Sequence, residues 1–170
     1  MADGSFSSGS YVRPYISAHG SPRTEEIEQG STASTAVYKL GDLICRGATT
    51  NAHRAVLQAT GVTANLTVCL GFAAEDAETS ATVGVKKTLF WPADSETQFI
   101  GVAKGTLNST QLGGIYAIRR DSTLGIAYLD LAIVSTAVMG IVDAFANGST
   151  MDDTNGFVVF RVASSCSQKY

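Results

Sequence analysis

Two histidines, three cysteines and fifteen acidic residues are the groups from which this 170-residue chain would have to build proton transfer, nucleophilic attack or metal binding. His19 lies in an N-terminal stretch and His53 follows Ala48-Thr49-Thr50-Asn51. Neither belongs to an H-x-H or H-E-x-x-H pattern, and a stable metal site brings three or four ligands together. A β-barrel metalloenzyme would want two histidines from core strands, so no metal is expected. Cys45 and Cys69 stand inside apolar runs, where they behave as small core residues. An odd cysteine count without C-x-x-C spacing, completed by Cys166, argues against a disulfide scaffold and a zinc site, and for assembly in a reducing compartment. Glu75, Asp76 and Glu78 in GFAAEDAETSA (71–81) could supply paired carboxylates for acid–base work. The sequence offers them no apolar enclosure, so a solvated loop after a strand is the expectation. MDDTNG (151–156) lacks the alternating spacing and downstream acidic ligand of a calcium loop and reads as a turn. No G-x-S-x-G elbow, Walker loop or G-x-G-x-x-G occurs. These residues assemble no reaction centre; neither a cofactor nor an enzyme activity is expected.

Composition narrows the partners. Charged residues make up 16% of the chain, hydrophobic residues 45%, and the formal net charge is −3. No Lys or Arg run exists to track phosphates, so direct nucleic-acid binding is not expected. Phe90, Trp91 and Phe99 could stack bases, but their neighbouring cations are only Lys86, Lys87 and Lys104, and core packing is their default. MADGSFSSGS has no basic region followed by an apolar stretch, which is unlike a secretory signal. The most apolar window, LGIAYLDLAIVSTAVMGIVDAFA (124–146), is long enough for a membrane helix. Asp130 and Asp143 would then sit in lipid at several kcal/mol, and its Ile, Val, Thr and Tyr suit two strands around Ser135-Thr136. Asn65, Asn108 and Asn147 begin Asn-x-Ser/Thr triplets, which are common by chance in such a sequence.

The elements that would position these residues are short. Residues 1–35 mix Gly, Ser, Pro and charge with little periodic hydrophobicity and cannot bury enough apolar surface to fold alone. From residue 36 to 170 apolar stretches alternate with turn residues, an all-β signature. The expected strands are 35–40, 43–47, 54–60, 65–73, 85–93, 97–105, 114–120, 125–134, 137–146 and 156–163. HRAVLQATG (53–61) could instead form two helical turns stopped by Gly61. In the last strand Val158, Phe160 and Val162 share one face, which should meet the core. Pro92 cannot donate to a ladder, so its strand should end there or lie at an edge. Gly101, Gly113, Gly114, Gly125 and Gly140, in or beside strands, suggest the bulges and bends that curl a sheet into a barrel.

The first 35 residues are therefore read as an extended arm on a compact β-barrel domain (36–170). Fully extended, such an arm reaches roughly 110 Å at about 3.3 Å per residue. Ordering it costs about 1–2 kcal/mol per residue, which a partner surface has to offset. Tyr11, Pro14, Tyr15, Ile16 and Ile27 are its candidate anchors, and Arg13 and Arg23 its candidate partners for acidic groups.

The succession of motifs resembles a family. Tyr11-Val12-Arg13-Pro14-Tyr15 in the arm is followed by YKLGDLICRG (38–47) and by Gly71-Phe72-Ala73-Ala74-Glu75-Asp76-Ala77. Then come TLFWPADSETQFIGVAKGTLNSTQLGGIYAI (88–118), MGIVDAFANGST (139–150) and the closing strand FVVFRV (157–162). In this order they look like the capsid decoration, or cement, proteins of tailed bacteriophages with an HK97-type shell. The resemblance implies a β-barrel or tulip-like domain, usually a homotrimer, seated at local threefold positions on the outer capsid surface of the virion after assembly in the host cytoplasm. Its partner would be the major capsid protein, the arm would reach across neighbouring shell subunits, and no catalytic residue is implied. Two other readings stand beside it. One is a different virion component, such as a head-fibre base or tail subunit. The other is a small β-barrel ligand-binding protein or hydrolase, which would need a concave pocket with convergent polar groups.

Overall fold

The computed structural model describes residues 11–16, 23–28, 39–46, 55–57, 69–76, 86–94, 96–121, 126–134, 138–146 and 148–166. Eleven strands follow in chain order. They are β1 (Arg13–Ile16), β2 (Glu25–Glu28), β3 (Leu43–Arg46), β4 (Ala55–Leu57), β5 (Cys69–Ala73) and β6 (Lys87–Pro92). The later five are β7 (Gln98–Lys104), β8 (Ile115–Asp121), β9 (Ile126–Asp130), β10 (Met139–Ala146) and β11 (Phe157–Val162). A single 3-10 turn at Ser109–Gln111 is the helical content of the described residues, and no helix there could cross a membrane. The all-β expectation holds. The apolar window 124–146 resolves into β9 and β10, and residues 55–57 are strand, not helix.

One sheet runs β1-β7-β11-β10-β8-β9, and a parallel pairing of β9 with β7, Ala103 opposite Leu129, brings it back on itself. The strands β7, β11, β10, β8 and β9 therefore complete a ring of pairings, as a barrel requires. β7 shares one of its edges between two partners: β1 lies along Gln98–Ile100 and β9 along Ala103–Lys104. The second sheet runs β2-β6-β5-β3-β4, entirely antiparallel.

Both sheets feed one core. Val158, Phe160 and Val162 point into it as the alternation required, joined by Phe99, Ala103, Leu129 and Val142 from the ring. Leu43, Cys45, Cys69 and Phe72 enter from the second sheet. Phe72 lies 4.7 Å from Phe99 and 5.9 Å from Phe160, and the latter two are 6.1 Å apart between ring centroids. Such tilted and edge-on pairs each add about 0.5–1.5 kcal/mol beyond the area they bury. The second sheet is also covered on its other face, where Ile44, Leu70, Ala73 and Phe90 cluster under Ile27. That double burial explains why LIC and CLGFA read as continuous apolar runs with no alternation. β6 stops at Pro92, as its missing N–H demands.

An ion pair joins the two sheets. Asp42, fully buried in the turn before β3, accepts from Arg120 of β8 through Nε at 2.6 Å and Nη2 at 3.1 Å. The Lys39 N–H donates to the same carboxylate at 3.2 Å.

Two stretches of the expected arm are strands of these sheets. β1 pairs antiparallel with β7, and β2 with β6, Glu25 opposite Phe90. The segment is extended as read, but in these stretches it runs along its own domain. Two residues root it. Val12 is fully buried, and the missing side chain of Gly101 makes room for it: a Cβ there would come within 2.9 Å of Val12 Cγ2. Gly41, at φ +80°, holds a backbone conformation that favours glycine, and a Cβ on it would strike Tyr11 Cβ and the Val12 backbone. Residues 35–38 of the first expected strand lie outside the described residues, while Lys39 to Asp42 form a turn.

Candidate interaction surface

The seven candidate anchors divide by what they touch. Ile27 is half-buried on the smaller apolar cluster, so it holds β2 to the second sheet. Tyr11 and Pro14 are half-buried, Pro14 opposite Phe99 and Tyr11 over the Gly41 turn. Ile16 is opposite Gln98, across a bulge from Pro14. Arg23, itself exposed, reaches Glu25 Oε1 at 2.9 Å, a contact that solvent renders weak. Arg13 and Tyr15 remain, both exposed on the outermost strand of the ring sheet, Tyr15 at 54%. An aromatic and a guanidinium two residues apart can supply an apolar contact and a bidentate grip on a carboxylate.

The edge is built against strand addition. Pro14 offers no N–H, and the bulge breaks the ladder between Pro14 and Ile16. On the second sheet β2 presents Glu25, Glu26 and Glu28, with Lys87 bridging Glu26. Side chains, and not a free backbone ladder, are what β1 displays to a partner.

A second exposed group escaped the sequence reading. Leu112 and Ile115 are 46% and 47% exposed, Met151 58% and Val134 68%. Leu112 and Ile115 flank Gly113-Gly114 after a rigid turn. Asn108 Oδ1 accepts from Thr110 N–H at 3.1 Å while Gln111 Oε1 accepts from Asn108 N–H at 3.0 Å, a complete capping box. The buried Gln111 amide also donates to Thr106 O at 2.8 Å. Met151 belongs to the MDDTNG turn, which is bound to the same end of the ring. Asp152 N–H donates to Leu107 O at 2.7 Å and Leu107 N–H to Asp153 O at 2.9 Å. Asp152 and Asn155 have positive φ, 71° and 55°, a conformation that Asp and Asn tolerate. Asp153 is occupied within the turn, accepting from Thr150 N–H at 2.7 Å. Apolar residues at turns with no strand period to serve were the available signal in the sequence.

The acidic loop after β5 turns out to be structural. Asp76 Oδ1 accepts from Leu40 N–H at 2.7 Å and Glu75 Oε1 from Leu89 N–H at 3.2 Å. Both remain exposed, as expected, Asp76 holding the turn before β3 and Glu75 holding β6. Asp143 accepts from Arg161 Nε at 2.9 Å and from Gln98 Nε2 at 2.9 Å, tying β7, β10 and β11. Arg119 donates to Asp130 at 3.0 Å across β8 and β9. His19, His53 and Glu78 lie outside the described residues. Among those described, no group of His, Cys, Asp and Glu could hold a metal ion.

Comparisons of the chain with protein-family models, with curated proteins and with solved structures give no match. The surfaces above must therefore speak for themselves.

Proposed function

We propose that this chain is a capsid decoration protein. As a homotrimer it binds the outer surface of an HK97-type phage head, with the major capsid protein as partner, and stabilises the shell across capsomer boundaries. One observation carries the reading: Val12 and Ile27 root the N-terminal segment, while Arg13 and Tyr15 face outward on the sheet edge. That division is what a docking strand needs, because a rooted strand has already met the entropy cost of ordering before it meets its partner. The Phe72, Phe99 and Phe160 rings pack on one another between the sheets, an apolar contact where a carrier or hydrolase would want convergent polar groups. Modest interfaces of this kind reinforce one another when many copies bind a single shell.

The test is occupancy on expanded heads, measured by co-sedimentation and located by electron microscopy. Arg13→Glu with Tyr15→Ala should lower affinity by roughly tenfold or more, as loss of interface hot spots does. Undiminished occupancy would overturn the role of β1. Density confined to a tail or fibre base would make the protein a different virion component.

A further inference from the structure

Cys45 and Cys69 are register partners across the antiparallel pair β3–β5, just past the bulge that shifts the register between Ile44 and Cys45. Both are fully buried, and both point into the main core. Cys69 N–H donates to Cys166 O at 2.7 Å, and not to Cys45. An antiparallel pair that exchanged both its N–H groups would need that donor, so Cys45 and Cys69 form a pair of the non-hydrogen-bonded type. In such pairs the Cα atoms approach to about 4.5 Å and the side chains stand closest. A disulfide needs Cα atoms about 4.4–6.8 Å apart. Cys166 is buried too, with Ser165 Oγ 3.5 Å from its sulfur. All three cysteines belong to the main core, but only Cys45 and Cys69 are partners on paired strands.

We propose that Cys45 and Cys69 are a latent disulfide site, reduced at assembly and closed by a small-molecule disulfide such as oxidised glutathione. The Cys69 thiol loses its proton and its sulfur attacks one sulfur of the oxidant, whose S–S bond breaks and releases one glutathione thiolate. The Cys45 thiolate then attacks Cys69 Sγ, forming the protein disulfide and releasing the second glutathione. Two electrons pass to the oxidant and two protons to solvent. Burial pushes the Cys45 thiol up to about 12 and Cys69 well above its ordinary value, so neither reacts from the closed core. Exchange requires local opening of the second sheet, and once formed the bond is shielded in the same way. This chemistry is independent of what the protein binds.

Tryptic cleavage separates the three thiols into residues 40–46, 55–86 and 162–169, so the full wild-type chain suffices as a test. It is incubated with oxidised glutathione in sub-denaturing urea, alkylated with iodoacetamide and mapped without reduction. The expected product joins 40–46 to 55–86, leaves Cys166 alkylated, and shows a higher urea midpoint that dithiothreitol reverses. Cys166→Ala should give the same bridge. Three alkylated thiols, a stable glutathione adduct, or a bridge to Cys166 would each overturn the proposal.

Discussion

Asp42 and Arg120 form a buried pair whose value lies in being complete. Removing Arg120 leaves a carboxylate with no exposed surface, and such orphaned charges cost about 3–5 kcal/mol. Arg120→Met should therefore destabilise the chain strongly, while Asp42→Asn with Arg120→Met should recover much of the loss in a urea double-mutant cycle. Burial outweighs the guanidinium and lifts the Asp42 carboxyl above its ordinary 3.8. The folded chain then takes up this proton at a higher pH than the unfolded chain, so this group favours folding as pH falls through its folded-state pKa. The margin of wild type over Asp42→Asn should widen between neutral pH and about pH 4, where an ordinary salt-bridged aspartate would narrow it. A narrowing margin in urea titrations would mean that the pair outweighs burial. None of this was legible in the Gly41-Asp42 turn, because the partner is 78 residues away and lies on the other sheet.

At the scale of elements, the strands from β3 onward were legible because each pairs apolar residues with turn chemistry at its ends. β1 and β2 were not. RPYI and EEIE have four residues each and no apolar period, and their strand character comes from the neighbours they pair with. Among the candidate anchors Tyr11 and Ile27 are half-buried against the domain, while Val12, fully buried, gave no signal of its own in the sequence. A glycine inside the strong strand β7 was the one available hint, since it marks a close approach by another backbone or side chain. Val12→Ala should cost about 2 kcal/mol of stability, the worth of a fully buried valine side chain, read as a lower thermal or urea midpoint. Tyr15→Ala should leave both midpoints unchanged, so that its effect on binding can be read separately.

For the molecule as a whole, the ring closes through strands distant in sequence. β7 pairs with β11 and β1, and the second sheet joins strands that run from Glu25 to Pro92. Such topologies fold in milliseconds to seconds, because loop closure precedes the contacts that reward it. Refolding followed by the single tryptophan, Trp91, which stands opposite Phe72 at the sheet junction, should fall in that range. A microsecond phase carrying the full amplitude would contradict the closed pairing order. Fold class was readable from composition and turns. The ring was not, since the parallel β7–β9 contact has no local signature in either strand.

The divided edge of β7 has one more consequence. β11 lies along one edge of β7, and on the other edge, among the described strands, Ala103–Lys104 has β9 as its neighbour and Gln98–Ile100 has β1. Lifting β1 away would uncover those backbone groups and the glycine hollow that Val12 fills. The domain would then offer a vacant berth to the same strand of a sister molecule. The N-terminal residues thus act as a built-in stopper, and a chain trimmed before Arg13 is the form in which filaments of exchanged or added strands should first appear.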